Sequence, residues 1–80
     1  MKILGETRDT FYNVERSYDR RNNIVTAYVT ESATNWYVTL KVLGYACPSV
    51  QDWKVSKREA KSAHEAAEQI LMEAKIKGNI

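Results

Sequence analysis

A chain of 80 residues carrying a formal charge of +2, 44% apolar and 28% charged, has the make-up of one small globular domain spanning residues 1–80. So short a chain buries only a modest core, which disfavours a deep-walled catalytic site, and an enzyme is not expected. A single cysteine excludes an internal disulfide framework, no apolar run has the length of a membrane span, and Met1 to Glu6 lack the apolar core of a secretory signal, so an intracellular protein, cytoplasmic or nuclear, with no membrane partner is expected.

From Asp9 to Arg20 the residues Phe11, Val14, Glu15 and Tyr18 recur at i, i+3, i+4 and i+7 and predict a first helix. Asp9 or Thr10 supplies its cap, and Arg20 and Arg21 suit its negative end, although Thr10-Phe11-Tyr12 also has the composition of a strand start. Asn22-Asn23 reads as a turn. Ile24 to Glu31, rich in β-branched residues, reads as a strand, and Ser32 to Asn35 as a short loop. Trp36 to Leu43 is a second strand, with Trp36, Val38, Leu40 and Val42 on one side and Tyr37, Thr39 and Lys41 on the other. Gly44 to Pro48 is a turn, and Val50 to Val55 a third, shorter strand containing Trp53.

The last element is a helix. Ser56 followed by Glu59 forms a capping box that starts it near Lys57; Ala60, Ala63, Ala67, Ile70, Leu71 and Ala74 form its apolar face, and Gly78 ends it. The expected fold is therefore α+β, a two-layer α-β-β-β-α sandwich. Its three-stranded antiparallel sheet carries two helices on one face, with a core from about residue 9 to 75.

Charge distribution is more telling than its sum. Arg16, Arg20 and Arg21 cluster early, Lys54, Lys57, Arg58 and Lys61 late, and acids dominate Glu65 to Glu73. At the head of a helix, Lys57, Arg58 and Lys61 each oppose the macrodipole by roughly 0.3–1 kcal/mol, and Lys57 and Lys61 repel as an i, i+4 pair by about 0.2–0.5 kcal/mol. A phosphate backbone would explain cations in that place; solvated surface residues behind a good cap explain them equally well.

The run Ser56-Lys57-Arg58-Glu59-Ala60-Lys61-Ser62-Ala63, followed by Ala66-Ala67 and Ile70-Leu71, resembles the C-terminal motif of the double-stranded RNA-binding domain family. Ala27 to Ser32 and Trp36 to Val42 resemble that family's first two strands. The resemblance implies a non-catalytic domain that binds double-stranded RNA by shape, through phosphates and 2′-hydroxyls. It places Lys57, Arg58 and Lys61 across the major groove, and Glu15 and Thr10 of the first helix in a minor groove. The loop of Ser32, Thr34 and Asn35 would enter a second minor groove. The family's Gly-Pro-x-His element is replaced in that loop by Ser-Ala-Thr-Asn, and its glycines before the helix motif by Asp52 to Val55.

Two readings of other classes stand beside this one. The first is a degenerate domain of the same fold that docks on a protein partner or forms a homodimer. The second is a small inhibitor or antitoxin-like βα protein, which loses ground if residues 9–20 are helical. His64 and Glu68 form an i, i+4 pair, but a structural metal site needs four ligands, so a surface or half-buried histidine is expected and no metal. Cys47 has no evident base and is expected to be a buried or turn thiol. Among the tyrosines, Tyr37 and Tyr45 are the best candidates for a base-stacking face, most other aromatics being expected in the core. No phosphate-binding glycine loop or Ser-His-Asp set is present, and neither cofactor nor small-molecule substrate is expected.

Overall fold

The computed structural model describes residues 8–80, with side chains from residue 15 onward. Strands β1 (Arg8–Tyr18), β2 (Ile24–Ser32) and β3 (Asn35–Val42) form an antiparallel meander. The far edge of β3 is completed by two short segments in line, β4 (Tyr45–Ala46) and β5 (Trp53–Ser56), both antiparallel to it. Helix α1 (Ala63–Lys77) packs across one face. Among the described residues no helix is long and apolar enough to cross a membrane.

Residues 8–18 are a strand, so the expected first helix, and with it the pair of helices on one face, is not what the chain forms. The spacing of Val14 and Tyr18 that suggests a helix also fits a strand, where both fall on the same side. Thr10, Phe11, Tyr12 and Val14 are β-branched or aromatic, and β2 offers a full ladder from Tyr18↔Ile24 to Asn13↔Val29, with a register shift between Asp9 and Asn13. The hairpin closes through Asp19, whose Oδ1 accepts the N–H groups of Arg21 and Asn23, each at 2.8 Å. Asn22 sits there at φ 65°, a conformation asparagine tolerates.

β2 and β3 follow the period-2 alternation. Val25, Ala27, Val29, Val38 and Leu40 are completely buried and Trp36 nearly so. Each large aliphatic side chain withdrawn from water in this way contributes about 1.5–3 kcal/mol. The β3–β4 turn is Leu43-Gly44, both with positive φ (52° and 83°), the backbone that joins a tight hairpin. Between β4 and β5, residues 47–52 leave the ladder but stay fastened to β3: Cys47 N–H donates to Leu40 O at 3.0 Å, and Leu40 N–H to Val50 O at 3.1 Å. Cys47 and Val50 are thereby pressed into the core.

The helix begins six residues later than the first capping box suggests. Ser56 ends β5 and opens a turn in which Glu59 and Ala60 N–H groups both donate to its carbonyl. The cap is Ser62, in extended conformation, with its Oγ accepting Glu65 N–H at 3.2 Å. Glu65 Oε1 in turn accepts Lys61 N–H at 2.7 Å. Ala63, Ala66, Ala67, Ile70, Leu71 and Ala74 are buried against the sheet, and the small alanines let the backbone lie close to β2 and β3. Gly78 closes the helix at φ 80°, with Asn79 N–H on Ala74 O at 2.8 Å.

Candidate nucleic-acid interface

The residues expected to meet RNA at a helix start are not arranged that way. Lys57, Arg58 and Lys61 lie in the turn ahead of Ser62, outside the helix, so none of them opposes its dipole from within the first turn. Lys57 is taken up within the fold. Its Nζ lies 2.6 Å from Glu31 Oε2 and 4.7 Å from the Trp36 ring centre, and both charged side chains are only about a third exposed (32% and 28%). Arg58 and Lys61 are exposed.

Glu15 lies on β1 rather than on a helix, and its Oε2 is 3.1 Å from His64 Nδ1. Thr10 belongs to β1 by its backbone; its side chain lies outside the described residues. Ser32 is buried (3% exposed) and shapes the β2–β3 turn, its Oγ accepting Asn35 N–H at 3.1 Å. Asn35 Nδ2 donates to Thr34 Oγ1 at 2.9 Å. Of the expected set, the turn bearing Thr34 and the segment opening at Lys57 do come together, through Lys57 N–H on Thr34 O at 3.0 Å.

A different surface gathers cations and aromatics. The sheet face away from α1 carries Thr26, Tyr28 and Thr30 from β2 and Tyr37, Thr39 and Lys41 from β3, none fully buried. Directly opposite residues in an antiparallel ladder share a face, so the register assigns Arg16 (paired with Thr26) and Lys54 (paired with Tyr37) to the same surface. Lys54, Tyr37, Tyr28 and Arg16 then form one diagonal across four strands, from β5 through β3 and β2 to β1. Tyr28 faces Thr39, two residues along β3 from Tyr37, so the two tyrosines are diagonal neighbours at a typical separation of about 7–8 Å. Lys41 Nζ sits 4.9 Å from the centre of the Tyr28 ring. Exposed cation–π contacts of this kind are worth about 0.5–1 kcal/mol, little enough for the ammonium to swing onto a phosphate.

Acidic groups lie mainly elsewhere. Glu65, Glu68 and Glu73 are exposed on the helix, and Glu15 and Glu31 point to the helix side, where they meet His64 and Lys57. Among the described side chains, the carboxylate bordering the open face is Asp52, whose N–H donates to Thr39 Oγ1 at 2.9 Å. Among the described side chains the open face is thus mainly cationic, while the helix layer carries both signs, as in the Lys57–Glu31 and Lys77–Glu73 pairs.

Tyr37 is the member of this surface that sequence reasoning singled out. Tyr45, paired with it there, is opposite Val42, on the helix side of the register, and does not join it. Arg16 and Lys54 were noted only as members of basic clusters, and neither they nor Tyr28 and Lys41 were expected in a site; the signal that marks Tyr28, Lys41 and Lys54 is the polar half of the alternation in β2 and β3 and its continuation in β5. Cys47 is buried, its Sγ 3.8 Å from Asn79 O. Among the described residues no three His, Cys, Asp or Glu side chains are placed to hold a metal ion. A groove of about 560 Å³ between β1 and α1, bordered by Glu15, Ser17, Glu68, Leu71 and Met72, has a polar strand for one wall. Comparison with protein families, with curated proteins and with solved structures finds no match to this chain.

Proposed function

We propose that this domain binds single-stranded nucleic acid on the open face of its sheet. The observation that carries the reading is the diagonal of Lys54, Tyr37, Tyr28 and Arg16, with Lys41 beside it, on a face that, among the described side chains, is bordered by little negative charge. Two rings on adjacent strands offer stacking platforms for successive bases, each worth about 1–3 kcal/mol, whatever the base. The three cations flank the rings where a backbone would run, and three phosphate contacts to a single strand give a log–log salt slope of roughly −2.

Anisotropy of a labelled oligonucleotide of about ten nucleotides tests this. Tyr28→Thr and Tyr37→Thr keep strand-favouring residues while removing the rings, and each is expected to weaken binding by about 5- to 150-fold. Parental affinity in the double variant would contradict the reading.

Double-stranded RNA is a second reading, supported by exposed Arg58 and Lys61 beside the β2–β3 turn, to which Lys57 N–H binds. Duplex binding abolished by Arg58→Ala with Lys61→Ala, and indifferent to the tyrosines, would favour it. The strand at residues 8–18 leaves the small-inhibitor reading standing as well. Tight binding to a protein with no affinity for any nucleic acid would favour that one.

A further inference from the structure

We propose that His64 is a proton-operated clasp that fastens edge strand β1 to helix α1, closed when the imidazole is charged and slack when it is neutral.

The inner sides of β2 and β3 hold the helix through Val25, Ala27, Val29, Val38 and Leu40. The corresponding positions of β1 are Glu15, opposite Ala27, and Ser17, opposite Val25. Beyond its ladder to β2, then, this stretch of β1 reaches α1 with polar groups where its neighbours use apolar ones. Besides Arg20, which follows β1 and donates from Nη2 to Lys75 O at 2.8 Å near the far end of the helix, the link along the strand itself is the histidine. His64 Nδ1 is 3.1 Å from Glu15 Oε2 on the strand, and His64 Nε2 is 3.4 Å from Glu68 Oε1 one helical turn on. Carboxylates accept hydrogen bonds and cannot donate them when ionised, and a neutral imidazole has one N–H only. Carboxylate oxygens at both ring nitrogens therefore call for the imidazolium, whichever tautomer the neutral ring adopts.

The remaining charges around the ring agree. On the helix Glu65 adds a third carboxylate; on β1 the next residue, Arg16, falls by register on the other side of the strand while also bordering the groove between β1 and α1; on β2 the neighbour of Glu15 is Ala27, which is uncharged. The hydrogen bond that His64 donates to Glu15 raises the histidine above its ordinary value of 6.5, helped by the charges of Glu15, Glu68 and Glu65. A group raised in the folded state stabilises fully below its unfolded value, and its contribution disappears as pH rises through the folded one. The clasp is thus fully shut below the ordinary value of 6.5 and slackens as pH rises through the raised folded value. Arg16 follows Glu15 on the same strand, so its effect on nucleic-acid affinity rests on the reading of the open face given above.

The test is NMR on the free protein, following the His64 ring and amide exchange along β1 between about pH 5 and 9, corrected for intrinsic exchange. His64 is expected to titrate above 6.5, and β1 amides near Glu15 to lose about two- to fivefold protection as it does so. Glu15→Gln should lower that titration and shrink the loss, and His64→Gln should abolish it. A His64 titration at or below 6.5, or identical exchange profiles for parent and His64→Gln, would overturn the clasp. Because no ligand is present, a failure to bind nucleic acid bears only on the open face.

Discussion

The indole N–H of Trp36 donates to the carbonyl oxygen of Ala60 at 2.9 Å, and this bond helps set where the helix begins. In a helix starting at Lys57, the Ala60 carbonyl would accept the N–H of residue 64. Trp36 occupies it instead, while Ser56 O collects the N–H groups of Glu59 and Ala60. The helical series itself begins at Ser62, whose carbonyl accepts Ala66 N–H at 3.1 Å.

Trp36→Phe keeps the ring in the core but leaves the carbonyl of completely buried Ala60 without that donor. The expected cost is about 1–3 kcal/mol in urea unfolding. A loss well under 0.5 kcal/mol, roughly the scale of a neutral surface change, would show that the bond has no such role.

Lys57→Met is expected to lower stability by about 0.5–1 kcal/mol, the scale of a half-exposed ion pair and cation–π contact, with single-strand affinity unchanged. Denaturation and anisotropy on the same variant check both halves. A large drop in affinity at unchanged stability would return Lys57 to the binding surface.

Asp19 receives N–H bonds from Asn23 and Arg21, and these, the Asn23 backbone first, hold its carboxyl below the ordinary value of 3.8. Lowered in the folded state, it contributes stability that is present above that value and is lost as pH falls toward its folded value. Asp19→Asn should therefore flatten part of the acid limb in thermal melts between about pH 5 and 2, an effect softened by solvent because the loop is exposed.

Gly78→Ala places a side chain at φ 80°, where nothing lies within 4 Å of the added methyl. The cost is conformational alone, about 1 kcal/mol, and should appear as a shifted denaturation midpoint at unchanged slope.

What could be read directly from the residues was whatever local periodicity decides. Val25 to Val29 and Trp36 to Leu40 alternate strictly, and the strands followed; Ala63 to Ala74 repeat at helical spacing up to Gly78, and the helix followed. The helix start was expected too early, at the Ser56 and Glu59 box, because Ser62 and Glu65, which cap the helix in the structure, share the same spacing and local pattern does not choose between them. The choice depends on Trp36, which lies 24 positions from Ala60. Residues 8–18 satisfy both a helical and a strand spacing, and the open edge of β2 settles the matter. The candidate site was least legible. Lys57 is paired with a glutamate 26 positions away, and the diagonal takes one residue from each of four strands, so it exists only once their registers are set.

The central claim is where nucleic acid lies on the molecule, and amide shift mapping during addition of a single-stranded oligonucleotide reads this directly. The account predicts that the largest changes fall along Arg16, Tyr28, Tyr37, Lys41 and Lys54, with α1 quiet. Changes confined to Thr34, Arg58 and Lys61, or no changes at all, would contradict it.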